Sequence, residues 1–254
     1  MTTDNTKRFT DRVETYVKYR PSYPKEAIDY LYDRVGLSKG GEVADVGAGT
    51  GKFTRLLLGR GSVVHAVEPN EAMREAAKAE LDGSPGFRAV PGTAEATLLP
   101  DGAVAHVVCA QAFHWFDRDK TKEEFKRILK PGGTVALIWN TRLTSGTPFL
   151  EAYDKLLHTF GIDYAKVGHK NISEEALAKF FAPNDMRVAR FPSGQLLDFE
   201  ALSGRLLSSS YVPMQGHPNH EPMMAELRAI FDRTKNDDGL VSFDYETEVF
   251  WGEL

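Results

Sequence analysis

Between positions 42 and 140, short apolar runs alternate with amphipathic ones, the order expected of a parallel sheet with crossover helices. The pattern predicts strands over 42–46, 62–68, 86–90, 104–110 and 134–139, with helical spacing over 54–58, 71–81 and 121–129. Lys130-Pro131-Gly132-Gly133 reads as a turn that stops a helix and launches the fifth strand. After Asn140 the rhythm changes: 147–160, 173–181, 199–208 and 221–235 read as helices, with one short strand over 186–191 among them. The tail, 239–254, alternates strictly, with Val241, Phe243, Tyr245, Thr247, Val249 and Trp251 on one parity, and reads as a long antiparallel strand returning to the sheet. The expected fold is α/β: a Rossmann-like, mostly parallel seven-stranded sheet with helices on both faces and a helical lid inserted after the fifth strand. No internal repeat or low-complexity linker interrupts it.

The first strand ends in Asp45-Val46-Gly47-Ala48-Gly49-Thr50-Gly51, with glycines two residues apart. A strand that turns sharply and lets its backbone approach a ligand favours residues without a Cβ, and the helix N-terminus that follows offers unpaired N–H groups. Dinucleotide turns read G-x-G-x-x-G, whereas here the third glycine comes four residues after the first, and Asp45 precedes the first by two. A Walker loop fails as well, because Gly47 and Gly51 enclose three residues rather than four and Lys52 is followed by Phe53.

In open α/β sheets ligands sit beyond the carboxyl ends of the strands, where an acidic side chain closing the second strand can accept bonds from both ribose hydroxyls. Glu68, followed by Pro69, holds that place. Met73, early in the next helix, offers a soft apolar face for a purine or, equally, a helix core residue.

The [DE]-x-G-x-G-x-G pattern resembles the first motif of class I S-adenosylmethionine-dependent methyltransferases. Thr93-Ala94-Glu95 resembles that family's segment whose polar side chain and backbone amide meet the adenine edge, and Ala110-Gln111 closes the fourth strand. The likeness is strongest over 42–140. It extends to Tyr16-Val17-Lys18-Tyr19-Arg20-Pro21, to Ala112-Phe113-His114-Trp115-Phe116-Asp117 and to Val249-Phe250-Trp251-Gly252, which resemble the small-molecule branch that includes trans-aconitate methyltransferase-like proteins. The resemblance implies an N-terminal helical cap (1–36), a cofactor-binding methyltransferase core (37–142), a mostly helical insertion and lid (143–238) and a C-terminal antiparallel strand (239–254). It implies S-adenosylmethionine as cofactor, held by Tyr16, Arg20, Asp45, Gly47, Ala48, Gly49, Gly51, Glu68, Pro69, Met73, Thr93, Ala94, Glu95, Ala110 and Gln111. Arg20 suits the methionyl carboxylate, since a guanidinium matches a carboxylate bidentately.

The cofactor's sulfonium makes its methyl group electrophilic, so the protein has to hold a nucleophile in line and exclude water. A carboxylate acceptor needs no base; a phenol, alcohol or amine benefits from one. His114 is the candidate base or substrate orienter, and Tyr19, His114, Trp115, Arg142 and Tyr211 are the candidate substrate contacts. The expected activity is methyl transfer to a small molecule, a carboxylic acid among the candidates. An NAD(P)-linked oxidoreductase and a non-catalytic S-adenosylmethionine-binding protein are the alternatives.

Composition narrows the partners. The 254 residues, 42% hydrophobic, suffice for one large α/β unit. A net charge of −5 without a dense basic run leaves no footprint for nucleic acid. No stretch approaches the ~20 apolar residues of a membrane span, the start has no apolar leader, and the lone Cys109 sits in an apolar run as a small core residue, so a cytoplasmic protein is expected. His217-Pro218-Asn219-His220-Glu221 lacks a further close-spaced ligand and predicts no metal. Ser208-Ser209-Ser210 lacks the G-x-S-x-G elbow of a nucleophilic hydrolase.

Overall fold

Val43, Ala44, Asp45 and Val46 are all fully buried, the mark of a strand covered on both faces. In the computed structural model, which describes residue 19 and residues 21–162, 164 and 172–254, they form the centre of a seven-stranded sheet. Strand β1 (Glu42–Val46) lies between β2 (Val63–Val67) and β4 (Val104–Ala110), parallel to both, and β3 (Phe87–Val90) extends the sheet beyond β2. On the other side come β5 (Leu129–Arg142), β7 (Val241–Glu253) and the edge strand β6 (Arg187–Leu197). The order is β3-β2-β1-β4-β5-β7-β6, with β7 antiparallel to both neighbours. Chain direction around β1 and β4 sends successive crossovers to opposite sides, the switch point beside which α/β sheets open a crevice.

Side chains on alternate positions split the core in two. Ala44, Val46, Val107, Cys109 and Leu137 pack with helix α4 (Arg118–Ile128) and helix α6 (Glu174–Phe181). Val43, Val108, Ala136 and Ile138 pack with α1 (Lys25–Tyr30), its π-helical continuation Leu31–Val35, and α2 (Lys52–Gly59). Helix α3 (Glu71–Leu81) is capped by Asn70, whose side chain accepts from the Met73 N–H at 3.0 Å. A third core joins α5 (Pro148–Phe160), α7 (Phe199–Leu207) and α8 (His220–Thr234) to the first half of β7 through Tyr153, Leu206, Leu227, Phe243 and Tyr245. Among the described residues no helix is long and apolar enough to cross a membrane.

Two elements differ from the sequence pattern. Strand β5 starts at Leu129, because Lys130-Pro131-Gly132-Gly133 forms a bulge within it: Val104 pairs with Leu129 and His106 with Thr134. The turn chemistry is present, with Gly132 in the left-handed region, but the chain never leaves the sheet. Strand β6 runs past Phe191 through Pro192-Ser193-Gly194 to Leu197. A proline is tolerated there because β6 is an edge and pairs only with β7. The segment after β5 is therefore not one helical body; β6 completes the sheet and α6 covers it, while α5, α7 and α8 form the separate core.

Candidate active site

The glycine turn after β1 is tied to its neighbour by two backbone bonds, since the N–H groups of Gly47 and Ala48 both donate to the Val67 carbonyl, at 2.9 and 3.1 Å. Gly47 has φ +75°, and a Cβ there would lie 2.4 Å from the Ala112 Cβ, so the turn and the β4 loop can close only around a glycine. Gly49, at φ +57°, faces open space instead: a Cβ would meet only the Met73 Sδ, at 3.8 Å. Gly51 serves packing: at φ +78°, a Cβ there would lie 2.5 Å from the Leu81 Cδ1 and 3.3 Å from the Ala77 Cβ of α3.

Beyond the carboxyl ends of β1, β2 and β4 opens a cavity of about 320 Å³. It is lined by Asp45, Gly47, Ala48, Gly49, Glu68, Pro69, Met73, Thr93, Ala94, Glu95, Ala110 and Gln111, twelve positions that the sequence motifs named. Gly51 is absent from this lining. Tyr16 and Arg20 lie outside the described residues. Met73 is 6% exposed and lines the cavity as well, so its two sequence readings coincide. Gln111, a non-glycine residue at φ +60°, is held there by its N–H bond to the Ile138 carbonyl at 2.8 Å. Such strain concentrates at functional sites.

Two carboxylates dominate the electrostatics. Glu68 is 8% exposed; its Oε2 accepts from the Gly49 N–H and its Oε1 from the Asn70 N–H, both at 2.8 Å. Burial raises its pKa, and the two N–H donors and the Arg74 charge offset part of that rise. Asp45 is fully buried, with Oδ2 accepting from the Thr54 hydroxyl at 2.6 Å. Its Oδ1 has no partner among the described residues. Burial pushes the Asp45 carboxyl up to about 7, with a smaller push from the Glu68 charge, against the Thr54 bond.

The candidate substrate residues disperse. Trp115 lines the cavity; His114, Tyr19, Arg142 and Tyr211 do not. His114 Nδ1 accepts from the Trp139 indole N–H at 3.5 Å, and its ring lies 4.6 Å from that of Trp115. Arg142 is committed elsewhere: its Nη2 donates to Asp154 and to the Tyr164 hydroxyl, both at 2.5 Å. Tyr19 bonds Glu200 at 3.2 Å and lies over Gly204 of α7, while Tyr211 packs on Tyr164. His217 Nδ1 accepts from the Asn219 N–H, and His220 bonds the Pro213 carbonyl.

Sequence reasoning missed Tyr23, Phe53, Phe116, Asn140 and Arg205, all of which line the cavity. Asn140 ties the end of β5 to its surroundings, donating to the Ser22 carbonyl at 3.0 Å and accepting from Thr247 at 2.7 Å. Arg205 is 6% exposed on α7. Its signal was in the helix spacing: three residues after Leu202, it falls on the apolar face.

The comparisons with known proteins converge on this reading. A family model described as "Methyltransferase domain" matches residues 44–137. The uncharacterized methyltransferase Rv3342 of Mycobacterium tuberculosis is 44% identical over 134 residues, 53% of this chain and 52% of the relative, so the match spans about half the length of that protein. The uncharacterized methyltransferase-like protein C25B8.10 of Schizosaccharomyces pombe is 30% identical over 251 residues, covering 97% of this chain and 95% of the relative. A solved structure from Anaeromyxobacter dehalogenans, assigned as a type II methyltransferase, has a TM-score of 0.70 at 22% identity over 92% of this chain and 98% of that one; it shows the fold.

The chain belongs to the methyltransferase family, in its class I, S-adenosylmethionine-dependent division. S-adenosylmethionine is that division's cofactor, and the residues present fit it. The unpartnered Asp45 Oδ1 suits an ammonium, the open face of Gly49 leaves a cradle that a side chain would fill, and Glu68 keeps a second lone pair on each oxygen for ribose hydroxyls.

The double use of Glu68 sets a specific expectation. Glu68→Ala should weaken adenosylhomocysteine binding by about 1.5–3 kcal/mol, the range for hydrogen bonds to a charged group. Glu68→Gln should lose as much, because its amide nitrogen must face one of the two N–H donors. Calorimetric titration compares them; wild-type affinity in the glutamine variant would show that the carboxylate charge and both acceptors are dispensable.

Proposed function

We propose that this chain transfers a methyl group from S-adenosylmethionine to a small organic acceptor, a carboxylic acid being the acceptor class we favour. Bound S-adenosylmethionine supplies an electrophilic methyl group. Asp45 would hold the cofactor's ammonium, Glu68 its ribose, and Met73 with Thr93, Ala94 and Glu95 its adenine. Phe53, Trp115 and Phe116 give the rest of the cavity aromatic walls that exclude water. A carboxylate arrives deprotonated, so no residue has to remove a proton. That accords with His114 standing off the cavity wall and bonded to Trp139, where it orients Trp115 rather than acting as a base. Helices α5, α7 and α8, with their own core, act as the lid over the acceptor.

The observation that carries this reading is the orphaned Asp45 oxygen in a cavity whose glycine turn and Glu68 suit a nucleoside. Adenosylhomocysteine at a hundredfold excess over its dissociation constant should stabilise the fold by ~2.7 kcal/mol through mass action. NADH at the same concentration should leave the melting temperature unchanged, and adenosylhomocysteine should accumulate when S-adenosylmethionine is supplied with small acids. A shift with NADH and none with adenosylhomocysteine would overturn the proposal.

A further inference from the structure

Arg205 is a buried cation on the wall of the same cavity. Its Nε donates to the Tyr245 hydroxyl at 3.0 Å, and its Nη1 donates to the hydroxyls of Ser209 at 3.2 Å and Ser208 at 3.5 Å. These partners are all neutral. The rings of Phe243 and Tyr245, 5.5 and 5.9 Å from the guanidinium carbon, offer only the weak attraction of aromatic faces. No carboxylate lies within ion-pair distance of Arg205 among the described residues, whereas Arg142, on the same third core, is paired with Asp154. A guanidinium has five N–H donors, and the bonds to Tyr245 and the serines leave Nη2 without a partner among the described residues. Burial disfavours the charge, but the surrounding tyrosines, Tyr245 first, outweigh it and the group stays a cation. A buried charge left unpaired is costly, so a fold that keeps one at a cavity wall keeps it for an anion that comes and goes.

We infer that Arg205 is the anchor for a carboxylate of the acceptor, so that the enzyme selects small carboxylic acids over their neutral analogues. The inference rests on the methyltransferase reading and names the substrate class of that site. The cofactor carries a carboxylate too, and the location of Arg205 decides between them. The matched methyltransferase domain ends at residue 137, and the nucleoside-facing residues lie within it; Arg205 comes from α7, in the segment between β5 and β7 that lies outside that domain. The sequence reading gives the cofactor's carboxylate to Arg20, which leaves the cation on α7 to the acceptor. Tyr245 and Ser209 fix the plane of the guanidinium, which leaves its remaining N–H groups set for a carboxylate, while Phe53, Trp115 and Phe116 supply an apolar wall for the rest of the molecule.

The test titrates wild-type protein saturated with adenosylhomocysteine with benzoate, cinnamate and glutarate, each beside its amide, benzamide, cinnamamide and glutaramide. At least one acid should bind ten times or more tightly than its amide. Arg205→Met should abolish that preference, leave the adenosylhomocysteine affinity within about twofold of wild type and raise the melting temperature, because it replaces a buried charge with an apolar chain of similar length. Arg205→Lys should keep part of the preference. An acid preference absent from wild type, or retained in Arg205→Met, overturns the anchor; a tenfold loss of adenosylhomocysteine affinity in Arg205→Met assigns the arginine to the cofactor's own carboxylate and overturns it as well. The wild-type comparison of acid with amide stands even if both variants fail to fold. Failure of wild type to bind adenosylhomocysteine at all would instead remove the methyltransferase reading.

Discussion

Asp45→Asn is expected to stabilise the cofactor-free protein at pH 8 and to cut its affinity for adenosylhomocysteine by about ten- to a hundredfold. The two effects have one origin. Asp45 is a fully buried carboxyl with one oxygen on the Thr54 hydroxyl and the other unpartnered among the described residues. Its pKa is about 7 in the folded chain against 3.8 for the unpaired group. A carboxyl raised in this way binds its proton more tightly in the folded state, so its contribution to stability falls as pH climbs from 4 to 7. At 1.36 kcal/mol per unit, the full cost above that window is on the order of 4 kcal/mol. Asparagine removes the charge while keeping an acceptor for Thr54, and its stability should therefore lack this slope. The same charge would receive the ligand's ammonium, and hydrogen bonds to charged groups contribute about 1.5–3 kcal/mol. Below pH 7 the wild-type site must release a proton to bind the ammonium, so affinity should drop by up to tenfold per unit down to about pH 5. Calorimetry at several pH values measures both; an affinity independent of pH, unchanged in Asp45→Asn, would take the aspartate out of the cofactor site.

Gly49→Val should lower adenosylhomocysteine affinity by about a hundredfold or more. At φ +57° a β-branched residue is strained, and its side chain would project into the open space beside Met73 rather than into protein. The turn itself has room, so the variant should retain its secondary structure, which circular dichroism checks. Binding that survives in a folded Gly49→Val protein would mean that the ligand does not approach this backbone.

Strands β1 and β4 and helix α3 were legible to the residue because each has a continuous apolar run or a capping asparagine with a breaker beside it. The start of β5 was not, since a proline and two glycines signal a turn whether the turn joins two elements or bulges within one. Strand β6 was read short for a related reason: whether a proline ends a strand depends on whether its unpaired side faces another strand, and that is set by topology. In the site, the cavity-lining positions on backbone turns and strand ends followed from spacing. Arg142 was named for its place after a strand and Arg205 was passed over although its helix spacing was informative; packing reverses the two, one standing beside Asp154 and the other among hydroxyls and rings. Asn140 was legible as a strand end but not as a cavity residue, because its partners Ser22 and Thr247 are 118 and 107 positions away.

Strand β7 pairs with β5 on one side and β6 on the other, and those two strands do not pair with each other. During synthesis, β5 and β6 thus emerge as strands that have no mutual ladder and wait for residues 241–253 to come between them. Pairings this distant in sequence close slowly, and unpaired edges are prone to aggregate in the interval. A chain stopped before Val241 would keep strands β1 to β4 yet lose two ladders at once, together with Phe243 and Tyr245, the floor beneath Arg205. Assembly of the Arg205 wall of the cavity is thereby tied to β7, which is translated after strands β1 to β4 have had time to form.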